Sequence, residues 1–324
     1  MSTSQPHLFS TAAMSVATHD KPARVKERND TIDLLRIISA CAVIWFHLGV
    51  LPQRRVAYAG LVFFLIIFVF FQKGSTQGLN PKAFFQKRVS RLLMPWAAWF
   101  VIYAVLNIVT GKRLFPLTSG FIDNILAGPW IGLWYLPFSF ASACVTYVLS
   151  KPHDKLPPYT RVAVPVIVAH LTLFAAAFIR TSGFYEAPWA QWLQAAPSLP
   201  IGLAMASAVT LGAQSNRVLI AIEATIIITC AYLHHIDPGM GISYGVGSAL
   251  VVVGLLFKRQ LSPQIGPIST LCLGVYLIHG VVMAAFKLIP WIHQHDLVWF
   301  ALTTVVSFLA VAVIQKIPYL QKFV

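Results

Sequence analysis

Residues 31–50 read TIDLLRIISACAVIWFHLGV, an apolar stretch that is interrupted by Asp33, Arg36 and His47. Its length fits the roughly 17 to 25 residues with which an α-helix crosses a bilayer. Similar apolar blocks recur along the chain, which has 324 residues and is 57% hydrophobic but only 10% charged. The sequence therefore predicts an all-α fold and a polytopic integral membrane protein that is surrounded by a lipid bilayer.

About ten transmembrane helices are predicted when the chain is divided by this length. The predicted spans are 32–51, 57–72, 92–110, 131–150, 162–179, 193–212, 218–234, 240–257, 268–289 and 297–315. Most lysines and arginines lie in the segments that share a side with the N-terminus. The other side holds only Arg54, Arg55, Lys112, Arg113 and Arg180. Because cytoplasmic loops are enriched in basic residues, we expect both termini to be cytoplasmic.

The chain divides into residues 1–30, 31–316 and 317–324. We expect a disordered cytoplasmic tail, a membrane domain and a short cytoplasmic C-terminal tail, respectively. In the first part the basic residues follow a weakly apolar stretch, which is the reverse of the order in a secretory signal peptide. A transit peptide is the alternative, because the beginning of the chain lacks acidic residues, although it also lacks arginine.

Two classes of function are disfavoured by the distribution of charged and metal-binding residues. The formal net charge is +14, but the basic residues flank apolar blocks and form no nucleic-acid-binding motif, so we expect no nucleic acid partner. No metal is expected either, because the cysteines and the histidine pairs lack the spacing and companions of metal ligands. The cysteines, which we interpret as small buried hydrophobic residues, are Cys41, Cys144, Cys230 and Cys272.

Arg36 and His47 share one face of the first predicted helix. They are eleven positions apart, which leaves them roughly 20° apart around the axis and places His47 roughly 16 Å further along it. Asp33 lies three residues before Arg36 and can pair with it. Ionisable groups in hydrocarbon are costly unless they face a partner or water, so this polar stripe predicts a functional site. For His47 alone, the alternative is a packed histidine with one hydrogen bond.

A second group of arginines begins the third predicted helix, in the segment FFQKRVSRLLMPW at residues 84–96. Arg88 and Arg91 are three residues apart and share a face. Two planar guanidinium groups near Arg36 would suit a phosphate-rich ligand that arrives from the cytoplasm. The alternative is a pair of arginines whose charges extend to the cytoplasmic interface.

Taken together, these motifs resemble those of the integral-membrane acyltransferase-3 family. The resemblance rests on R-x10-H from Arg36 to His47, R-x-x-R from Arg88 to Arg91, LWYL at 133–136, and ISTLCLGVYLIHG at 268–280. Within the last segment and just before it, Gly266, Ser269, Tyr276 and His279 are in register with the family pattern. The resemblance covers about 30–316, and one departure is Ile37, where many members have glycine.

The resemblance implies a membrane O-acyltransferase domain at 31–316. Such enzymes transfer an acyl group, here expected to be acetyl, from cytoplasmic acyl-CoA to a hydroxyl of an extracytoplasmic or lipid-linked carbohydrate. Exopolysaccharide and O-antigen are the expected acceptors, acetyl-CoA the expected donor, and polysaccharide-assembly proteins candidate partners. The expected location is the bacterial plasma (inner) membrane. Because some members carry an extra esterase-like domain after the membrane part and this chain ends at Val324, we expect a stand-alone enzyme.

Under this interpretation Arg36, Arg88 and Arg91 bind the coenzyme A phosphates. His47 acts as the general base or forms an acyl-histidine, and the sequence does not separate these two. Asp33 and Arg36 complete the predicted catalytic group. Tyr276 and His279 are expected to bind the acceptor or an oxyanion, unless they belong to the interfacial belt of polar aromatic residues.

Six tryptophans are assigned to that interfacial belt, and one or two of them could instead line a sugar groove. They are Trp130, Trp134, Trp189, Trp192, Trp291 and Trp299. Two other functions fit the buried charges: a carrier or flippase for a glycolipid or anion, and a non-catalytic subunit of a polysaccharide export complex. A transferase consumes acyl-CoA and yields an acylated glycan, whereas a carrier leaves its cargo chemically unchanged.

Overall fold

The computed structural model describes residues 28–49, 52–75, 78–117 and 120–324. These residues form sixteen α-helices, joined by short loops and a few irregular turns, and contain no β-strand. The predicted all-α fold is therefore confirmed. Of the predicted N-terminal tail, residues 1–27 lie outside the described part of the chain.

In chain order the helices are α1 (Asp30–Leu48), α2 (Arg54–Ala57), α3 (Ala59–Ser75), α4 (Pro81–Arg88), α5 (Met94–Val109), α6 (Phe121–Ala127), α7 (Tyr135–Asp154), α8 (Pro158–Thr181), α9 (Trp189–Ala195), α10 (Ser198–Ala208), α11 (Ser215–His234), α12 (Pro238–Leu256), α13 (Ile265–Thr270), α14 (Cys272–Lys287), α15 (Pro290–His293) and α16 (Asp296–Gln315).

Eight helical stretches in the described residues are long and apolar enough to cross a membrane. One of them, Trp189–His234, has 46 residues, which span about 69 Å at 1.5 Å per residue, more than twice the thickness of a bilayer core. This stretch breaks at Gly212, where φ is 60°, into two parts that are each long enough to cross a bilayer. The shorter apolar helix α14 brings the described part of the chain to ten apolar segments, in agreement with the prediction of about ten.

Helix α1 begins and ends at residues whose chemistry sets those limits. The side chain of Asn29 accepts a hydrogen bond from the backbone N–H of Ile32 and donates one to the carbonyl of Gly254, at 2.7 Å. An asparagine in this position satisfies an otherwise unpaired N–H of the first helical turn. At the other end, Gly49 has φ of 75°, a left-handed conformation that glycine adopts without strain and that ends the helix.

Helix α3 lies at the centre of the bundle, between α1, α7, α10 and α12. Val62, Phe63 and Ile66 on this helix are fully buried. Small residues let neighbouring helices approach it closely, as is common in membrane proteins. A Cβ atom added to Gly60 would lie 2.7 Å from the carbonyl oxygen of Ser39, so α1 and α3 touch through their backbones at this point.

We expect Gly60→Ala to destabilise the protein by about 1–3 kcal/mol, because the added methyl group must push α1 away from α3. The matched control is Gly74→Ala on the same helix, where an added Cβ meets no atom within 4 Å. The thermal denaturation midpoint in detergent should fall for the first variant and stay level or rise for the second. Equal midpoints for Gly60→Ala and the unaltered protein would contradict the close packing of these helices.

The helix that carries Arg88 begins earlier than the sequence predicts. Its first residue is Pro81, preceded by Asn80, whose side chain accepts a hydrogen bond from the N–H of Ala83 at 2.8 Å. This capping pair starts a helix in a segment that is too polar for a hydropathy-based prediction to include. Arg88 and Arg91 therefore lie within a 29-residue helical stretch, Pro81–Val109, rather than at its start.

Between α4 and α5 the helix widens into a π-helical turn, Val89–Leu93. Pro95 follows directly at the start of α5. Proline has no N–H to donate, and its ring collides with the carbonyl group four residues earlier, which here belongs to Arg91. A wider turn relieves that collision. As a result, Arg91 is rotated away from the position that a regular helix would give it relative to Arg88.

Candidate active site

A cavity of about 420 Å³ opens among α1, α3, α4, α7 and α14. It lies at the inner end of the bundle, defined as the end at which α1 begins, which the charge distribution predicts to be cytoplasmic. Four of the predicted site residues line it: Arg36, Arg88, Arg91 and Tyr276. The structure thus brings the two arginine motifs, which are separated in sequence, around one space.

Arg88 is held in a fixed position on the wall of this cavity. It is 6% exposed, and its Nη2 donates to Ser75 Oγ at 2.9 Å. Its guanidinium group also lies over the ring of Phe84, 5.5 Å from the centroid. The Nε atom is buried and has no hydrogen-bond partner among the described residues. A buried, oriented cation with an unpartnered donor is suited to binding an anion.

The other basic residues of the cavity are more accessible. Arg91 and Lys87 are exposed, and Arg36 is half-buried. Lys87 lines the cavity together with the arginines, although no motif in the sequence distinguishes it from the other basic residues. The four cations surround the inner end of the cavity and favour a ligand with several negative charges.

Asp33 holds Arg36 through a network of four side chains. Its carboxylate accepts hydrogen bonds from Arg28 Nε at 2.6 Å, from Ser269 Oγ at 2.6 Å and from Arg36 Nη1 at 3.3 Å. Arg28, which the sequence assigned to the tail, therefore belongs to the folded domain, and Gly266 lacks the Cβ that would overlap its guanidinium group. Asp33 and His47 are fourteen residues apart on α1, about 21 Å, so Asp33 positions Arg36 and does not contact His47.

We expect Asp33→Asn to lower the thermal denaturation midpoint, because two guanidinium groups would remain together without an anion. Arg28 and Arg36 are 49% and 34% exposed, so solvent compensates for part of the loss and the cost should be about 1–2 kcal/mol. The control is Asp296→Asn, since Asp296 is exposed and forms no ion pair within the described residues. An unchanged midpoint for Asp33→Asn would show that this network is not stabilising.

His47 and His279 form a hydrogen-bonded pair. His279 Nε2 lies 3.0 Å from His47 Nδ1, and the ring centroids are 4.9 Å apart. The Nδ1 atom of each ring also lies near a carbonyl oxygen of its own helix, that of Val43 for His47 at 3.0 Å and that of Val275 for His279 at 3.1 Å. From the sequence, separate roles are predicted for these histidines, whereas the structure places them in direct contact.

The hydrogen bonds assign a tautomer to each ring. A carbonyl oxygen only accepts, so the Nδ1 of His279 must carry a hydrogen, and in the neutral imidazole its Nε2 is then an acceptor. His47 Nδ1–H donates to this Nε2 and to the carbonyl of Val43. The lone pair of His47 is consequently on Nε2, which makes no hydrogen bond to the described residues. An unprotonated imidazole nitrogen without a partner is what a general base or a nucleophile requires.

Aromatic side chains surround the histidine pair. Trp130 contacts both rings, with centroid distances of 5.4 Å to His47 and 5.0 Å to His279. Tyr103 stacks on Trp130 at 5.0 Å and donates a hydrogen bond to the carbonyl of Leu277. Trp130 therefore packs against the histidine pair, although its position in the sequence does not distinguish it from the other predicted interfacial tryptophans.

Tyr276 lies between the cavity and the histidine pair. It lines the cavity, and its ring centroid is 5.8 Å from that of His279. Its hydroxyl donates to the carbonyl of Gly132, and both ring nitrogens of His279 are engaged with protein atoms. The donors that the sequence assigned to substrate binding are thus already satisfied, which favours a role in shaping the site and orienting His47.

No group of three or more histidine, cysteine, aspartate or glutamate side chains in the described ranges is arranged to hold a metal ion. The site presents its arginines and the imidazole of His47. These groups suit the binding of an anionic donor and the transfer of a proton.

Comparison with known families identifies this arrangement. A family model described as an acyltransferase domain (Acyl_transf_3) matches residues 29–316. The chain belongs to the acyltransferase-3 family. No curated protein matches the chain, and no solved structure does.

The match to the acyltransferase-3 family begins at Asn29, which caps α1, and ends at Lys316, directly after α16. It therefore includes all sixteen helices and every predicted site residue. The protein is a multi-pass membrane acyltransferase of the O-acyltransferase type. This result confirms the family resemblance that was drawn from the motifs, and it favours a transferase over a carrier or an export subunit.

Proposed function

We propose that the protein transfers an acetyl group from cytoplasmic acetyl-CoA to a hydroxyl of an extracytoplasmic or lipid-linked carbohydrate in a bacterial inner membrane. One observation carries the proposal. Arg36, Arg88 and Arg91 line a single cavity. Tyr276, which also lines this cavity, contacts His279 of the histidine pair. This arrangement supports the binding of a phosphate-rich donor next to the histidine pair.

The cavity suits part of an extended donor such as coenzyme A. Its volume of about 420 Å³ lies in the lower part of the range for small-molecule pockets. We infer that the nucleotide and its phosphates stay at the inner end, against Arg88 and Arg91, while the pantetheine arm extends past Tyr276. Coenzyme A bears several phosphate charges, and arginine forms paired, charge-assisted hydrogen bonds with phosphate.

His47 would perform the chemical step through Nε2. In direct transfer, Nε2 takes the proton of the acceptor hydroxyl while the hydroxyl oxygen attacks the thioester carbonyl. A carbon–oxygen bond forms, the carbon–sulfur bond breaks, and the coenzyme A thiolate then takes the proton from His47. In the alternative, Nε2 attacks the carbonyl carbon first and the carbon–sulfur bond breaks to release the coenzyme A thiolate. The acceptor hydroxyl then attacks the acyl-histidine, the bond between the acyl carbon and Nε2 breaks, and the thiolate takes the hydroxyl proton.

The experiment uses inside-out membrane vesicles with and without the protein, supplied with acetyl-CoA that carries an isotopically labelled acetyl group. We expect release of the coenzyme A thiol and appearance of the label on a carbohydrate, measured with a thiol-reactive dye and by mass spectrometry. Acetyl-CoA does not cross a bilayer, so right-side-out vesicles serve as the control for the predicted orientation. Protein-dependent movement of an unmodified glycan without thiol release would contradict the proposal.

A further inference from the structure

A second cavity lies at the outer end of the bundle, the end at which α1 finishes. It has a volume of about 260 Å³ and is lined by Phe46, Arg55, Tyr58, Arg180, Gln194 and Asp237, with three further residues of the α12 segment. The ring of Phe46 is 5.3 Å from that of His47 and 4.9 Å from that of Tyr58. The two cavities therefore approach the histidine pair from opposite ends of α1.

The polar groups of the outer cavity are held rigidly by one another. Arg180 donates through Nε to Asp237 at 2.8 Å and through Nη1 to Gln194 at 2.9 Å. Asp237 in turn accepts from the backbone N–H groups of Gly239 and Met240. The remaining guanidinium hydrogens of Arg180 and the amide nitrogen of Gln194 make no hydrogen bonds to the described residues. Oriented donors and acceptors of this kind bind hydroxyl groups with little loss of conformational freedom.

Tyr58 is the observation that points to a ligand. Only 7% of this residue is exposed, and its hydroxyl is buried without a hydrogen-bond partner among the described residues. A buried polar group without a partner is costly, and such groups are rare in folded proteins. A hydroxyl-bearing ligand in the cavity would supply the missing partner, while the rings of Phe46 and Tyr58 would offer an apolar surface to a sugar ring.

The charges of this cavity indicate the kind of carbohydrate. Two guanidinium groups, those of Arg55 and Arg180, face one carboxylate, that of Asp237. Arg55 is exposed and forms no ion pair with any described residue. One positive charge therefore remains uncompensated, which favours a ligand with a negative charge.

We infer that the outer cavity binds the acceptor, a carbohydrate that carries an acidic group, and presents its hydroxyl to His47 from the side opposite to the donor. This inference rests on the proposed function. The amide, carboxylate and guanidinium groups would bind ring hydroxyls, and Arg55 would pair with the acidic group. The site is separate from the arginine-lined cavity, so acceptor binding and donor binding are expected to respond to different substitutions.

The first test uses the same vesicles and measures the rate at which acetylated glycan forms when acetyl-CoA is saturating and the acceptor is limiting. Tyr58→Phe removes only the unpartnered hydroxyl and breaks no hydrogen bond among the described residues. We expect this rate to fall roughly three- to tenfold, the value of one hydrogen bond. Tyr232→Phe, which changes an exposed tyrosine of α11, should keep the rate of the unaltered protein.

An unchanged rate for Tyr58→Phe at limiting acceptor would overturn the assignment of the outer cavity. If the unaltered protein releases no thiol from acetyl-CoA, the proposed function itself fails, and the inference fails with it. The two failures are distinguishable because the first leaves thiol release by the unaltered protein intact, whereas the second removes it altogether.

The second test addresses the acidic group directly. The full-length protein, in nanodiscs of phosphatidylcholine, is titrated with glucuronate and with glucose, and binding is measured by saturation-transfer nuclear magnetic resonance. We expect about tenfold higher affinity for glucuronate, and a smaller difference in Arg55→Gln, whereas Arg113→Gln retains the preference. Equal affinity for the two sugars, or binding of neither, would overturn the inference of an acidic acceptor.

Discussion

Replacing His47 with asparagine is expected to lower acetyl transfer by about 10²- to 10⁴-fold, the usual contribution of a general base. Asparagine keeps an N–H close to the position of Nδ1, so contact with His279 and with the carbonyl of Val43 is retained. It has no atom at the position of Nε2, where the structure leaves the lone pair. The loss should therefore appear in the rate of acetyl transfer at saturating acetyl-CoA, with little effect on the denaturation midpoint.

The chain offers a closely matched control in His170. This histidine is also half-buried in a membrane helix, and its Nδ1 also lies near the carbonyl oxygen four residues earlier, that of Val166, at 2.7 Å. His170→Asn should leave the transfer rate within about twofold of the original, because His170 lines neither cavity and has no contact with the histidine pair. Similar losses in both variants would indicate a general disturbance of the fold and would exclude a special role of His47.

The second large effect is expected for Arg88→Ala. Removing a buried guanidinium that binds a phosphate should cost about 1.5–3 kcal/mol, or roughly 10- to 100-fold in kcat/KM for acetyl-CoA. The decisive comparison uses acetyl-pantetheine, which has the same thioester but no phosphate. The preference of the enzyme for acetyl-CoA over acetyl-pantetheine should fall by the same factor, since only the phosphate contact is lost.

Two further variants separate charge from geometry at this position. Arg88→Lys keeps a positive charge but not the planar fork, and we expect an intermediate preference. Arg217→Ala removes an exposed arginine near the beginning of α11, also at the inner end, and should leave the preference intact. If Arg88→Ala lowers turnover of both donors equally, Arg88 supports the fold of the cavity and does not bind phosphate.

The sequence was sufficient where function depends on one helix. The helical periodicity of α1 places Arg36 and His47 on one face, and the apolar blocks predict the number of membrane crossings. The contact between His47 and His279 joins residues 232 positions apart in the chain. Helical periodicity shows which face of each helix is polar, but it does not show which two faces meet. The pairing of α1 with α14 and the tautomer that it imposes could therefore be seen only in the structure.

The predicted ends of the apolar blocks differ from the structure where polar residues begin a helix. Arg28 precedes the hydrophobic stretch, so hydropathy assigns it to the tail, yet it binds Asp33 across the cap formed by Asn29. Likewise, α4 is too polar to be detected as part of a span. A motif of asparagine followed by proline, as at Asn80 and Pro81, is the signal that would have found its beginning. Trp130 had no such signal, because its neighbours come from distant parts of the chain.

The widened turn at Val89–Leu93 makes the number of residues in this stretch as important as their identity. A helix advances about 100° per residue. Deleting one residue here would restore a regular helix, in which the ring of Pro95 collides with a carbonyl group of the preceding turn. It would also rotate Arg88 by more than a quarter of a turn around the helix axis, away from Ser75. Relatives that retain both arginines should accordingly vary in this stretch by exchange of side chains, while insertions and deletions accumulate in the connecting loops.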